Sequence, residues 1–390
     1  MRRWLILVLL LTLSWNGGRV KAQSVLDLEP FQESIQAQLE ALNLADLLDY
    51  VHLLEGELQD YLPSLNFREL ISRQEQRYSP QDLFSLLIRN LLRELYLSLH
   101  LLRQLIVIGI LAALLQRLSA SFGIKTVVDL AFSACFLVLV LIALQSYQVV
   151  VALASQTVDR MVSFMYALLP TLSTLLIAVG GLTSSAIFHP LLWGMVGAIA
   201  GLVQYLLFPL ILFSTAFSLV AHFSAELSLS KLGGLLRQGV ITLLGTFFIV
   251  FSGFMVVKGA IAPVADGISL RAAKFFTKTL IPIAGGMFAD SLEVVVGGSV
   301  LIKNGVGVFG LAMVVFLVAT PLLKVWAMVL VYKLVGALLE PICDPRLVQA
   351  LGTMESALIL VLISLGTVAL MFLVAISILV GVGNLTVFMR

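Results

Sequence analysis

The chain has 390 residues, of which 60% are hydrophobic and 12% are charged, with a mean hydropathy of +1.07. A soluble domain carries about 25% charged residues because its surface needs ionised groups, so this composition excludes a water-soluble globular protein. The 65 residues from Met161 to Ala225 contain no Asp, Glu, Lys or Arg, and a helix of that length is roughly three bilayers long. The sequence therefore predicts an all-α, polytopic membrane protein.

The first residues have the pattern of an export signal. Two arginines precede an apolar run from Trp4 to Leu13, and the small-residue pattern Val20-Lys21-Ala22 follows. A positive start, a short apolar core and such an end predict a secretory signal peptide over residues 1–22. The alternative is an uncleaved anchor, for which an apolar core of about ten residues is short. In either case, we expect the chain from Gln23 onward to begin outside the cytoplasm.

Residues 23–82 form an acidic region that we expect to lie outside the cytoplasm. Twelve acidic residues are opposed by three arginines, so the local net charge is −9 (3 − 12). Apolar residues recur at helical spacing and predict two or three short amphipathic helices. Ser79-Pro80 is typical of a helix start, with proline at the first helical position. The region is either a solvated cap on the membrane domain or a docking surface for a partner outside the cytoplasm.

Residues 83–390 are predicted to form a membrane domain with seven to nine spans. The spans are placed on apolar runs of about 20 residues, the length of helix that crosses a bilayer. Asp159 and Arg160 separate two such runs and are interpreted as a short outer turn. The predicted spans lie near Tyr96–Leu115, Val127–Val151, Val162–Leu182, Gly239–Val257, Gly305–Leu323, Val325–Leu339 and Ala357–Val382.

The segment Pro190–Ser224 fits either two short spans or one span with a re-entrant piece, since Pro209 lies in its middle. The segment Lys258–Lys278 carries four basic residues and one acidic residue, and basic segments remain in the cytoplasm. The loop that holds Arg117 and Lys125 is placed there for the same reason. With the acidic region outside, Pro190–Ser224 must then cross only once in net terms. We therefore predict a broken or re-entrant element around Pro209.

The most polar part of the membrane domain is Pro263–Gly310. Asp266-Gly267 predicts a turn, and the alternation of basic and apolar residues in Ile268–Phe276 predicts an interfacial helix. Ionisable residues at membrane depth are costly and usually face a cavity or a partner. Two interpretations stay open: a polar, re-entrant lining of a conduit, and a cytoplasmic loop with solvated charges. The candidate functional residues are Asp266, Lys274, Asp290, Glu293, Lys303 and Asn304.

Glycines mark candidate positions of helix packing or bending, because glycine permits a close approach of backbones. Gly305, Gly307 and Gly310 spell G-x-G-x-x-G, but no βαβ pattern surrounds them, so helix packing is favoured over a dinucleotide site. The candidate packing or hinge glycines are Gly180, Gly181, Gly285, Gly286, Gly297 and Gly298.

No motif in the sequence predicts catalysis. The four histidines show no metal-ligand spacing with acids or cysteines, so we expect no metal. Cys135 lies in an apolar run far from Cys343, and both are interpreted as packing residues rather than a disulfide. Nucleophile-elbow, zinc-protease and phosphate-loop motifs are absent from the sequence. We expect no enzyme activity, no cofactor and no nucleic-acid partner; the oligomeric state stays open.

Several segments together resemble one protein family. They are Gly180-Gly181 followed by Thr183-Ser184-Ser185, then Asp266–Phe276, Ile281–Gly307 and Pro321–Lys333. With the exported acidic region, they make the whole chain similar to the stage III sporulation protein AE family. The polar and glycine-rich block from Asp266 to Gly310 is the most specific part of this resemblance.

The resemblance implies a role in endospore-forming bacteria. Family members are polytopic proteins of the mother-cell membrane around the engulfed forespore. They act with the other stage III sporulation A proteins and a forespore membrane partner in a channel-like secretion complex that supports forespore development. The acidic region would then lie between the two membranes. The alternatives are a self-sufficient secondary transporter for a small solute, which predicts inverted repeats, and a scaffold that recruits partners.

Overall fold

The computed structural model describes residues 80–122, 125–223, 229–280 and 285–388, and all regular structure in these residues is helical. The predicted signal peptide and all but the last three residues of the acidic region lie outside the described residues. Helix α1 begins at Pro80, which confirms the predicted helix start. The helices are α1 Pro80–Leu97, α2 Leu99–Phe122, α3 Lys125–Ala178, α4 Leu182–Gly201, α5 Phe208–Phe223, α6 Ser230–Leu280, α7 Gly285–Leu339 and α8 Pro345–Phe388, with a π-helical segment Leu202–Leu207 that joins α4 to α5.

Six segments of the described chain are long and apolar enough to cross a membrane. The predicted total of seven to nine spans is not confirmed, because several predicted spans are parts of single long helices. Helices α3, α6 and α7 have 54, 51 and 55 residues, so each is about 75–85 Å long. The six segments are Leu99–Arg117, Leu130–Ala178, Leu182–His222, Ser230–Ser269, Val296–Leu339 and Pro345–Val387.

The predicted turn at Asp159-Arg160 is wrong, since α3 continues through these residues. Ala154, Val158 and Met161 are fully buried on one face of this part of the helix. Asp159 is exposed and accepts a hydrogen bond from Gln204 Nε2 at 2.8 Å. The carboxylate is thus satisfied on the outer side of a continuous apolar helix, and no turn is needed to solvate it.

The predicted irregularity near Pro209 is present, but it is a local one. The π-helical segment Leu202–Leu207 ends two residues before Pro209, which has no backbone N–H to donate. A π segment inserts extra backbone into a helix without turning the chain back. Helices α4 and α5 therefore form one continuous crossing element, in agreement with the predicted single net crossing of Pro190–Ser224.

Paired contacts show that consecutive helices run antiparallel. Along α3 and α4, Ser173 faces His189 and Tyr166 stacks on Trp193. Ser214 of α5 and Ser184 of α4 bond to Gly233 and Asp266 of α6 respectively, so α6 runs back along the whole α4–α5 element. The chain thus builds a bundle of long, alternating helices.

Helices α7 and α8 complete the bundle. Gly310 of α7 packs on Leu168 of α3, because a Cβ there would lie 2.7 Å from Leu168 Cδ2. A Cβ at Gly307 would collide with Val380 of α8, so Gly307 and Gly310 of the G-x-G-x-x-G pattern serve helix packing, as predicted. Helix α8 is the most central crossing segment. In its most apolar stretch 56% is buried inside the bundle, against 22–44% in the corresponding stretches of the other segments.

The bundle has two ends. The α3–α4 end holds the α3–α4 turn, the end of α6 and the start of α7. The α5–α6 end holds the ends of α2 and α5, the starts of α3 and α6, and the α7–α8 connection. Asp266-Gly267 lies within α6 and not in a turn, so that prediction is wrong. The described part of Pro263–Gly310 is the end of α6 and the start of α7, and shows no re-entrant segment.

Candidate functional sites at the two ends of the bundle

At the α3–α4 end, Asp266 caps the first turn of α4. Its carboxylate is fully buried and accepts hydrogen bonds from the backbone N–H of Thr183 at 2.7 Å and of Ser184 at 3.2 Å. The Ser184 hydroxyl donates to the same carboxylate. A helix N-terminus presents unpaired N–H groups and a positive dipole end, which together stabilise an anion. Asp266 therefore joins α6 to α4 through a satisfied buried charge.

The α3–α4 turn needs its glycines. Gly180 has φ of 96°, a conformation that side chains with a Cβ rarely adopt. At Gly181 a Cβ would lie 2.8 Å from Leu176 Cδ1 and 3.0 Å from the Leu176 carbonyl oxygen. The predicted hinge position at this glycine pair is thus a tight turn, and it sets the direction in which the α4 N-terminus faces Asp266.

A second buried polar contact joins α7 to α8 near the same end. Lys303 is 1% exposed, and its ammonium donates to the Val380 carbonyl oxygen at 2.8 Å and to Asn384 Oδ1 at 3.0 Å. A Cβ at Gly383 would collide with Lys303 Nζ. The glycine therefore provides the space in which the lysine side chain lies, and the amide and carbonyl oxygens solvate its charge.

The other predicted residues divide between those whose side chains are described and those whose side chains are not. Asn304 has a buried Oδ1 without a hydrogen-bond partner among the described residues. Gly298 is buried, whereas a Cβ at Gly297 would meet open space. The helix position but not the side-chain placement is described for Lys274 of α6 and for Gly285, Gly286, Asp290 and Glu293 of α7.

The structure thus brings Asp266, Lys303 and Asn304 to one end of the bundle, together with Gly180 and Gly181. Asp266 and Lys303 each hold two helices together through hydrogen bonds. These contacts define a structural role for both residues and do not test a role in lining a conduit. The conduit role therefore stays a prediction.

The α5–α6 end contains a polar cavity that the sequence did not predict. Its volume is about 270 Å³, and it lies between α5, α6 and α8. Helix α5 contributes one polar face, made by Ser214, Thr215, Ser218 and His222. Three of these residues recur every four positions and so stack along one side of the helix. We refer to this space as the polar cavity.

The opposite wall of the polar cavity comes from α6 and α8. Arg237 of α6 lines it with an exposed side chain. Gln349, Thr353 and Ser356 of α8 line it at spacings of four and three residues, which again places them on one helix face. No Asp or Glu is among the described residues that line this cavity, so Arg237 is the one formal charge that these residues bring to it at neutral pH.

Hydrogen bonds across the polar cavity define the orientation of His222. The Thr353 hydroxyl lies 3.0 Å from the Gln349 carbonyl oxygen, to which it can donate, and it forms a hydrogen bond with His222 Nε2 at 3.1 Å. This contact joins α5 to α8 at the inner side of the cavity.

The two cysteines are free thiols that pack against the core, as predicted. Cys343 lies in the α7–α8 connection, where its thiol donates to the Gly109 carbonyl oxygen of α2 at 3.2 Å. Burial and the neighbouring carboxylate of Asp344 raise the pKa of the Cys343 thiol. Asp344 also accepts a hydrogen bond from Gln116 of α2 at 2.6 Å. Among the described residues, no group of His, Cys, Asp and Glu has the arrangement of a metal site.

These features define a class of protein: a polytopic α-helical membrane protein with long apolar helices, buried polar contacts between them and a polar cavity at one end. A profile of the stage III sporulation protein AE family matches residues 65–383. The chain is also 35% identical over 316 residues to stage III sporulation protein AE of Bacillus subtilis (strain 168), covering 81% of this chain and 79% of that protein. The chain therefore belongs to the stage III sporulation protein AE family. No solved structure matches it.

Proposed function

We propose that this protein is an integral membrane component of a sporulation-specific channel or secretion complex between the mother cell and the forespore. Its family membership supports a role in sporulation. The observation that carries the proposal is this family membership, and six segments long and apolar enough to cross a membrane support its place in a membrane. Buried polar groups in membrane helices favour interhelical contacts and transport pathways over simple anchoring.

In this proposal the protein lies in the mother-cell membrane around the forespore and acts after engulfment. Its partners are the other stage III sporulation A proteins and a protein of the forespore membrane. The acidic region from Gln23 to Asp82 lies between the two membranes, after export directed by residues 1–22. The protein itself catalyses no reaction, and any nucleotide hydrolysis is supplied by a partner.

The proposal includes a membrane orientation in which each long helix crosses the membrane once. If each long helix crosses once, Arg117 and the end of α6 lie on opposite sides of the membrane. The predicted cytoplasmic location of both basic segments does not fit such a bundle. With the acidic region outside and α2 crossing once, the α5–α6 end faces the mother-cell cytoplasm and the α3–α4 end faces the space between the membranes.

The orientation can be tested with Cys343, which lies at the α5–α6 end. Vesicles of known orientation that contain the Cys135→Ser variant should react with a membrane-impermeant thiol reagent only when the cytoplasmic face is outward. Labelling from the opposite face would overturn this orientation without affecting the sporulation role.

The proposed function is tested by deleting the gene and complementing it with a fluorescently tagged copy. We expect the deletion strain to arrest after engulfment and the tagged protein to gather at the membrane around the forespore. Normal sporulation of the deletion strain, or an even distribution of the tagged protein in growing cells, would refute the proposal. Uptake assays on the purified protein would then test the alternative, a stand-alone secondary transporter.

A conduit role for the polar residues of α7 is tested with Asp290→Asn and Glu293→Gln in the complementing copy. These changes remove charge and keep side-chain size. A conduit lining should lose spore formation although the protein accumulates normally. A scaffold should tolerate both changes.

A further inference from the structure

The polar cavity between α5, α6 and α8 is unlike the rest of the bundle. Its lining includes eight polar side chains at one end of a molecule whose crossing segments are mainly apolar. A volume of about 270 Å³ is close to the lower limit of about 300 Å³ for small-molecule pockets. A small ion or a lipid headgroup fits such a space, whereas a folded segment of another protein does not.

The charge of the polar cavity selects an anion. In the described part of the chain, Arg237 is the one charged side chain of the lining, and it has no hydrogen-bond or ion-pair partner there. An arginine near the end of a span can simply extend into the headgroup layer. Arg237 differs because it faces a cavity shared by three helices. Its planar guanidinium can donate two parallel hydrogen bonds to one oxyanion.

Further donors surround the same space. The Gln349 side-chain amide and the Ser356 hydroxyl line the cavity, and neither has a side-chain partner among the described residues. The hydroxyls of Ser218 and Thr353 instead donate to backbone carbonyls of their own helices. Such local bonds are weak and can be exchanged for a bond to a ligand. Donors from α6 and α8 thus line one space from different sides, as a group with several acceptor oxygens requires.

The depth of the polar cavity also favours phosphate. His222 is the last residue of one crossing segment, and Gln349 lies four residues after the start of another at Pro345, a rise of about 6 Å. These positions place the cavity at one end of two apolar segments, and the ends of membrane helices are the parts that come nearest the lipid headgroups. We propose that the polar cavity binds a phosphate group, held by Arg237 with Gln349 and Ser356. The phosphate belongs either to a phospholipid headgroup or to a soluble phosphate.

The two sources are separated by measuring them independently on the purified full-length protein. The first arm adds phosphatidylglycerol, or a phosphate-free glycolipid as the lipid control, and counts retained lipids by native mass spectrometry. The second arm measures binding of inorganic phosphate to lipid-depleted protein in a phosphorus-free detergent. Both arms use wild type, Arg237→Gln, Ser356→Ala and the control Lys231→Gln, which removes an exposed charge six residues away on the same helix.

We expect Arg237→Gln to weaken phosphate binding at least about tenfold, or about 1.4 kcal/mol of binding free energy, because the charged donor is removed. Ser356→Ala should weaken it less, and Lys231→Gln should leave it unchanged. An effect only in the first arm assigns the phosphate to a lipid, and an effect in the second arm assigns it to a soluble ion. The proposal is overturned if Arg237→Gln matches wild type in both arms, or if Lys231→Gln loses as much as Arg237→Gln. Because both readouts are binding measurements, their outcome does not depend on whether the sporulation proposal is correct.

Discussion

The buried carboxylate of Asp266 should be one of the most important single side chains for the stability of the bundle. Two backbone N–H groups and one hydroxyl of the α4 N-terminus donate to it. Replacement by alanine removes the acceptor and leaves those donors buried without a partner. An unsatisfied buried donor costs about 1–3 kcal/mol, and a hydrogen bond to a charged group contributes about 1.5–3 kcal/mol. We therefore expect Asp266→Ala to lower the free energy of unfolding by about 3–5 kcal/mol.

Asparagine at this position separates charge from hydrogen bonding. Asp266→Asn keeps one oxygen acceptor, but its NH2 group would face N–H donors. We expect an intermediate loss of about 1–3 kcal/mol. The matched control is Asp159→Asn, because Asp159 is exposed and accepts a single hydrogen bond from Gln204. Its loss should stay below about 1 kcal/mol, since solvent competes with that bond.

The assay is reversible unfolding of the purified protein in mixed micelles, followed by far-UV circular dichroism as the fraction of denaturing detergent increases. All variants are measured in the same host micelle, so that only differences between them are compared. If Asp266→Ala and Asp159→Asn lose the same stability within about 0.5 kcal/mol, the carboxylate does not hold α4 to α6 and the reasoning is refuted.

Two further predictions concern α8 and the connection before it. Gly383→Ala should lower the free energy of unfolding by about 1–3 kcal/mol, because the new methyl group displaces the buried Lys303 ammonium. Gly366→Ala, where a Cβ meets open space, should raise the free energy of unfolding by up to about 1 kcal/mol. Equal unfolding midpoints for the two variants would contradict this prediction. In a Cys135→Ser background, the rate of maleimide labelling of Cys343 should rise at a more alkaline pH than that of a thiol of ordinary pKa, since burial and the adjacent carboxylate raise the pKa of this thiol. Ionisation of the buried thiol is unfavourable in the folded state. The neutral thiol therefore makes a contribution to stability that is fully present below the unfolded-state pKa and is lost as the pH rises through the folded-state pKa. A labelling midpoint at or below that of a model thiol would show that the thiol is not buried as described.

The class of the fold could be predicted from composition, but the number of spans could not. Apolar runs of about 20 residues were counted as separate crossings, whereas α3 and α7 each contain two of them without a break. The charge of Asp159 was the misleading signal. This carboxylate accepts a hydrogen bond from Gln204 on the side of a continuous helix and does not lie in a turn. Tertiary contacts allow Asp159 to lie within a helix, and such contacts cannot be predicted from a single sequence.

For the α3–α4 end, the sequence predicted most of the residues and not their partners. Asp266, Lys303, Gly180 and Gly181 were all selected, because buried charge and paired glycines are rare in membrane helices. The partners of Asp266 are Thr183 and Ser184, which lie 83 and 82 residues earlier in the chain. That contact depends on how α6 is aligned with α4, and hydrophobic periodicity does not determine the alignment of two long helices.

The polar cavity was missed for a different reason. Its lining consists mainly of hydroxyls and amides, and Ser and Thr in membrane helices usually bond to their own backbone. A search for acids, metal ligands and catalytic motifs passes over such residues. The available signal was the recurrence of Ser214, Ser218 and His222 on one face of a segment without charged residues, opposite Gln349 and Thr353. A polar face on a membrane helix must be matched by another polar face or by water, so two such faces in one chain are reason to expect that they meet.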